Sequence, residues 1–275
     1  MNICRQSKII AVILFSLLLS ACASNKHIEP DKREQLANIH YRIGIDALGK
    51  EGMLPKAFDE LMESDAILPN QPEVLDALAY AWLLRGNMKK SEAYYLRAIR
   101  HGGGAATQNN YANLLNRLQR YPAAEKAARK SLDDPRYRNQ DLAFINLGDA
   151  LLGQKQFAEA ITAYNQAQLF NPNSNIANLK LARAYFLHGK LREAGVLYKM
   201  LIRKQPNSRP AVEGLLHVLQ QQNNTFAIRK VLRQFSQQSV SPMDKAWALN
   251  ELDSIGLEHM KTDRIKTDRM KSGRS

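Results

Sequence analysis

At 275 residues the chain is long enough for a sizeable core or for a stack of small repeats, and its formal charge is +13. It has only two cysteines, Cys4 and Cys22, too few for a disulfide-stapled scaffold or a cysteine-based metal site. What holds the fold together must therefore be packing.

Arg5 and Lys8 precede an apolar run from Ile9 to Leu19, interrupted by Ser16. The run is shorter than the roughly 20 apolar residues needed to span a hydrocarbon core, so residues 1–21 read as a cleavable leader. The tetrad Leu19-Ser20-Ala21-Cys22 then resembles a bacterial lipobox. That resemblance implies acylation of the Cys22 thiol, which would become the new N-terminus and leave no free thiol in the mature chain. Ala23 follows, where an aspartate would signal retention in the inner membrane. In such a setting the basic balance points to anionic headgroups, lipopolysaccharide or an acidic protein rather than to nucleic acid. Residues 22–37 read as lipidated cysteine and tether.

From residue 38 onward the dominant signal is an internal repeat. Phe157-Ala158-Glu159-Ala160 with Tyr164, Ala167 and Pro172 recurs as Leu191-Arg192-Glu193-Ala194 with Tyr198, Leu201 and Pro206. Tyr121-Pro122-Ala123-Ala124, Met88-Lys89-Lys90-Ser91 and Pro55-Lys56-Ala57 are further copies. Before each phrase lies a segment with apolar residues at spacings of three and four, such as Phe144, Leu147 and Leu151, which predicts a second helix per unit. The small positions Ala57, Ser91, Ala124, Ala160, Ala194 and Ala227 are separated by 34, 33, 36, 34 and 33 residues. Units are expected to begin near Asn38, Pro72, Ala105, Asp141, Asn175 and Arg209. Gly148, Ala160, Ala182 and Ala194 fall where paired helices must approach closely. Tyr164, Tyr185 and Tyr198 are expected to fill the wedge between successive units.

This period and residue set resemble the tetratricopeptide repeat. The resemblance implies an all-α solenoid of about six helix-turn-helix repeats over residues 38–238. After the sixth unit, Ser241-Pro242 ahead of Met243, Ala246, Trp247 and Leu249 predicts a C-terminal capping helix within 239–260, with Ser241 near its N-cap. Residues 261–275 carry six basic side chains against Asp263 and Asp268 and read as a polar, basic tail.

No chemistry-bearing motif stands out. The six histidines show no ligand spacing, and Gly102-Gly103-Gly104 has no Gly-Lys-Ser/Thr after it and reads as a turn. There is no Gly-x-Ser-x-Gly elbow. The expectation is a binding protein and not an enzyme, with no cofactor, no metal and no small-molecule substrate. In tetratricopeptide arrays, set positions of each first helix line a concave groove. Carried onto this chain, those positions are Asp76, Tyr80, Asn109, Asn113, Asn116, Asp149, Arg183 and Phe186. Three asparagines on one stripe are unusual, because Asn is a poor helix former; their amides would suit the backbone of an extended peptide.

A narrower resemblance lies in the third and fourth units. Asn109-Asn110-Tyr111, Leu114-Leu115, Tyr121, Asp134-Pro135-Arg136-Tyr137 and Asn146-Leu147-Gly148 are similar to the PilF/PilW family, and the similarity continues through Ala182-Arg183-Ala184-Tyr185 to about Phe235. Leu114-Leu115-Asn116 departs from the Phe-Leu-Cys frequent in that family, and the basic tail is not a family feature. The resemblance implies an outer-membrane lipoprotein facing the periplasm, acting in type IV pilus biogenesis as a pilotin. Its partner would be a secretin subunit or another pilus assembly protein. The alternative is a general envelope adaptor for peptidoglycan hydrolases or synthases.

Overall fold

A computed structural model of the chain describes residues 30–255. The lipobox cysteine, the leader and the basic tail lie outside them. The described residues fold into thirteen helices with no strand among them: α1 (Pro30–Leu48), α2 (Leu54–Ile67), α3 (Pro72–Leu84), α4 (Met88–Arg100), α5 (Ala105–Arg117), α6 (Tyr121–Leu132), α7 (Gln140–Gly153), α8 (Phe157–Phe170), α9 (Asn175–Leu187), α10 (Leu191–Lys204), α11 (Arg209–Gln221), α12 (Thr225–Gln238) and α13 (242–255). The first twelve pair into six antiparallel hairpins. Each inner helix (α1, α3, α5, α7, α9, α11) also touches the next inner helix, so these six form one layer and the outer helices the other.

Packing explains the pairing. In the fourth unit the ring of fully buried Tyr164 lies against Gly148, where a Cβ would sit 2.5 Å from the ring. Tyr198 lies the same way against Gly214 of the following unit, and Leu61 against Gly44 in the first. Tyr95, Tyr164 and Tyr198 each stand four residues after the small position of their outer helix, so one turn places both on the inner helix. Tyr185 is only half-buried, at the join between two core clusters.

Five of the six hairpin turns share one device. Gly86, Gln119, Lys155, Gly189 and Asn223 all have positive φ, from 53° to 80°. In each turn the next amide reaches back five residues, as in Asn87 N–H to Trp82 O and Gln156 N–H to Leu151 O, both 2.9 Å. This is the Schellman arrangement that closes a helix. Three of the five positions are not glycine, so the turn geometry is imposed by the packed helices rather than by the residue's freedom.

One boundary differs from expectation. The first helix begins at Pro30, not near Asn38, so the stretch read as a tether is shorter. Pro at a helix start sacrifices no hydrogen bond, Asp31 sits in the first turn, and the extra turns bury Ala37 and let Arg33 donate to Ile67 O at 2.9 Å. The capping helix begins at 242, where Ser241 Oγ accepts from the Asp244 amide at 3.3 Å. Its Trp247 packs edge-on to Phe235 and lies under the Arg209 guanidinium, sealing the apolar end of the stack.

Replacing Gly148 with Ala adds about 1 kcal/mol of helix propensity but drives a methyl into a ring fixed by burial and by its hydrogen bond to Asp149. Overpacking of about 1–3 kcal/mol wins, so Gly148→Ala should lower Tm. At Gly195 the nearest atom to a new Cβ is 3.6 Å away, so Gly195→Ala should raise it. Thermal melts of the two variants check the sign.

Candidate partner-binding groove

The inner helices present a continuous concave face, and the structure distributes the expected groove residues along it unequally. Tyr80 on α3 is 43% exposed. Arg183 is exposed and Phe186 half-buried on α9, where with Lys180, Glu213 and His217 they line a cavity of about 520 Å³ between α9 and α11. The Phe186 and His217 rings are 6.1 Å apart. This part of the groove can take an apolar or aromatic side chain with a charge beside it.

Asp149 is half-buried and already engaged. Its carboxylate accepts from the Tyr164 hydroxyl at 2.7 Å and from the Lys180 ammonium at 2.7 Å on both oxygens. It ties the fourth unit to the fifth.

The asparagine stripe corrects the sequence reading in detail. Asn109 is only 4% exposed, and the amide of Asn146 on α7 donates to both its side-chain oxygen (2.7 Å) and its backbone carbonyl (3.2 Å). Asn113 donates to Asn146 Oδ1 at 3.3 Å and Asn116 to Asn146 O at 2.8 Å. Burial forces amides to find partners, and the neighbouring repeat supplies them. Asn109 is therefore an internal tie between the third and fourth units and not a groove contact. Asn113 and Asn116 keep partial exposure but have given their N–H groups to Asn146. The sequence signal was present: Asn146 stands 37 residues after Asn109, one residue more than the 36-residue interval between the third and fourth units.

Asp76 sits at the centre of the N-terminal half of the groove. Asn110 donates to its Oδ2 at 2.9 Å, whereas its Oδ1 is buried without a hydrogen-bond partner among the described residues. Burial pushes its pKa up to about 6, with the hydrogen bond from Asn110 opposing and Glu73 adding repulsion. Around it stand tyrosines. Tyr41 and Tyr137 are half-buried with raised pKa, each through burial first and each feeling the Asp76 charge. Fully buried Tyr95 also feels that charge, and its hydroxyl too has no partner among the described residues. Sequence reasoning read Tyr95 and Tyr137 as repeat and family-signature positions and did not place them at the groove. The 36-residue interval was the available sign for Tyr137, because the longer loop over 133–139 carries it onto Asn109.

Among the described residues no cluster of three or more His, Cys, Asp or Glu could hold a metal, and no helix is long and apolar enough to cross a membrane. The groove offers a carboxylate with tyrosines in its N-terminal half, and cations with an aromatic ring in its C-terminal half.

Comparison with known proteins agrees with this architecture. A tetratricopeptide-repeat family model matches residues 151–219. PilF of Pseudomonas aeruginosa superposes with a TM-score of 0.66 at 18% identity, covering 80% of this chain and 99% of that one. PilW, a widely conserved type IV pilus biogenesis factor, superposes at 0.69 with 20% identity, covering 74% and 94%. The chain has the fold of a tetratricopeptide solenoid, the fold that PilF and PilW share. In sequence, human Superkiller complex protein 3 is 31% identical over 136 residues, half of this chain. The matches span only 7% and 14% of the lengths of the curated relatives, so those likenesses concern the repeats.

Two measurements follow from this geometry. Asp76→Asn keeps the shape and one acceptor but removes a carboxylate that folding must desolvate. The folded pKa lies above the unfolded one, so Asp76 favours folding most below about pH 4, and that contribution is lost as pH rises through about 6. The variant should therefore gain on the order of 2 kcal/mol at pH 7.5 and little at pH 4, read from thermal melts at the two pH values. Asn146→Ala removes the side-chain partner of Asn109 and Asn113 at once while Asn116 keeps the residue-146 carbonyl, and a loss of about 1–3 kcal/mol should lower Tm.

Proposed function

We propose that the protein is an outer-membrane lipoprotein of type IV pilus biogenesis that acts as a pilotin, carrying a secretin subunit to its site and promoting multimer assembly by protein–protein binding. The observation that carries this reading is the extent of the likeness: the solenoid accounts for 99% of the PilF chain and 94% of the PilW chain, with six hairpins and a closing helix. The Asn109-Asn110-Tyr111 and Asn146-Leu147-Gly148 phrases support it, because here they occupy the joint between the third and fourth units.

In this reading Cys22 bears the lipid. Each buried acyl methylene contributes about 0.8 kcal/mol, so two or three chains make attachment effectively permanent. The concave face then does the binding. An extended partner segment would place an apolar side chain against Tyr80 at one end and Phe186 at the other. Arg183 and Lys180 would take an acidic neighbour, and Asp76 a basic one. No bond is made or broken in this activity; the protein supplies location and a template.

The experiment is a pull-down of the tagged, lipidated protein from detergent-solubilised envelopes. A secretin should be recovered, and its multimers should vanish when the gene is deleted. Recovery of murein hydrolases or synthases without a secretin would replace the pilotin with a general envelope adaptor. Within the same assay, Tyr80→Ala with Phe186→Ala should weaken secretin capture by about tenfold or more, as for buried aromatic anchors, with helix content unchanged and a modest fall in Tm from the half-buried Phe186. Cys22→Ser should leave the membrane fraction; wild-type fractionation of that variant would remove the lipid anchor from the reading.

A further inference from the structure

The C-terminal half carries a second cleft, on the surface opposite the concave groove. α10 and α12 are the outer helices of the fifth and sixth units, with α11 beneath them. α12 rests on α11 less extensively than the outer helix of any other unit rests on its partner. Between α10 and α12 the structure leaves a cavity of about 600 Å³.

Its floor is apolar: Val212, Leu215 and Leu219 of α11, with Phe235 of α12. Val231 is half-buried on one wall, and Val196 at the mouth is 64% exposed. The rim is cationic. Lys199, Arg203 and Lys230 are all exposed, none is in an ion pair among the described residues, and the lining contains no Asp or Glu. Gln222, Gln234 and Gln238 add amides along the lip. The helical register keeps this cleft separate from the groove. On α11, positions 212, 215 and 219 face one way, and Glu213 and His217, which line the concave cavity, face the other.

We infer that this outer cleft is a docking site for an acidic amphipathic helix of a partner protein. Fourteen residues of α12 give a trough about 21 Å long, enough for roughly four turns of helix at 1.5 Å per residue. An apolar stripe at i, i+3, i+4 and i+7 reaches the floor between α10 and α12, and carboxylates on the flanks meet the three unpaired cations. The other occupants fit less well. A second copy of this chain would have to offer α2, its most acidic helix, whose exposed face has Met62 as its single large apolar residue. A membrane surface has no ridge to enter a trough between helices, and acyl chains have no use for its glutamine amides.

The test uses the full-length protein in zwitterionic nanodiscs and a fluorescein-labelled helix of about 18 residues, built from Leu, Glu and Ala with the leucines on one face. The patterned peptide should bind about tenfold or more tightly than a scrambled peptide of the same composition. Lys199→Glu with Lys230→Glu should cost about tenfold or more, and Val196→Gln a smaller factor. All three sites are exposed, so melting should not change, and Tyr80→Ala with Phe186→Ala should leave peptide affinity untouched. Equal binding of the scrambled peptide, or indifference to the charge reversals, would overturn the proposal. A dimer in sedimentation that dissolves on charge reversal would overturn it in favour of a second copy. Capture on phosphatidylglycerol vesicles that charge reversal abolishes, without peptide binding, would overturn it in favour of lipid.

Discussion

The close approach of a large side chain on one helix to a residue with no side chain on its neighbour is the contact on which the solenoid depends. Tyr164 over Gly148, Tyr198 over Gly214 and Leu61 over Gly44 hold neighbouring helices at a distance that a single added methyl would disturb. Repetition of that distance stacks the inner helices into one layer and the outer helices into another. The concave face, the outer cleft and the capping helix all follow from the stack. Because each unit touches chiefly its neighbours, the constraint is local and has to be satisfied again in every unit.

Hydrogen bonds refine what packing sets. Asn146 joins the third unit to the fourth, Asp149 joins the fourth to the fifth through Lys180, and Asn110 joins the third to the second at Asp76. These ties lie on or just beneath the concave face, so groove and joints share residues. Part of the polar stripe that makes the face look like a peptide cradle is already occupied in holding the repeats in register. What stays open is concentrated at the two ends, at Tyr80 and Asp76 and around Arg183 and Phe186.

Asp76 is the exception to this economy. A carboxylate with one oxygen unpartnered, beside a fully buried tyrosine whose hydroxyl is also unpartnered, opposes folding at neutral pH. Side chains that cost stability where an amide would serve are more often found at sites of recognition than in plain scaffolding. The position of Asp76 in the groove accords with the binding role proposed for that face.

The sequence by itself determined the number and pairing of the helices, because a 33- to 36-residue period in small and aromatic residues is a direct record of contacts inside one unit. It also marked the turns, and it placed the capping helix after Ser241. The start of the first helix escaped it: the packing that carries α1 back to Pro30 comes from α2, outside any local pattern. Only the tertiary structure decided which groove residues face solvent. Asn109, Asn113 and Asn116 share one stripe on α5, and nothing in their own helix tells an amide meant for a ligand from one meant for the next repeat. That depends on Asn146, 37 residues further on, and on the angle at which the next hairpin is laid down. The outer cleft is of the same kind. Its cations and valines lie on two different helices, and a gap between them exists only because α12 settles loosely on α11.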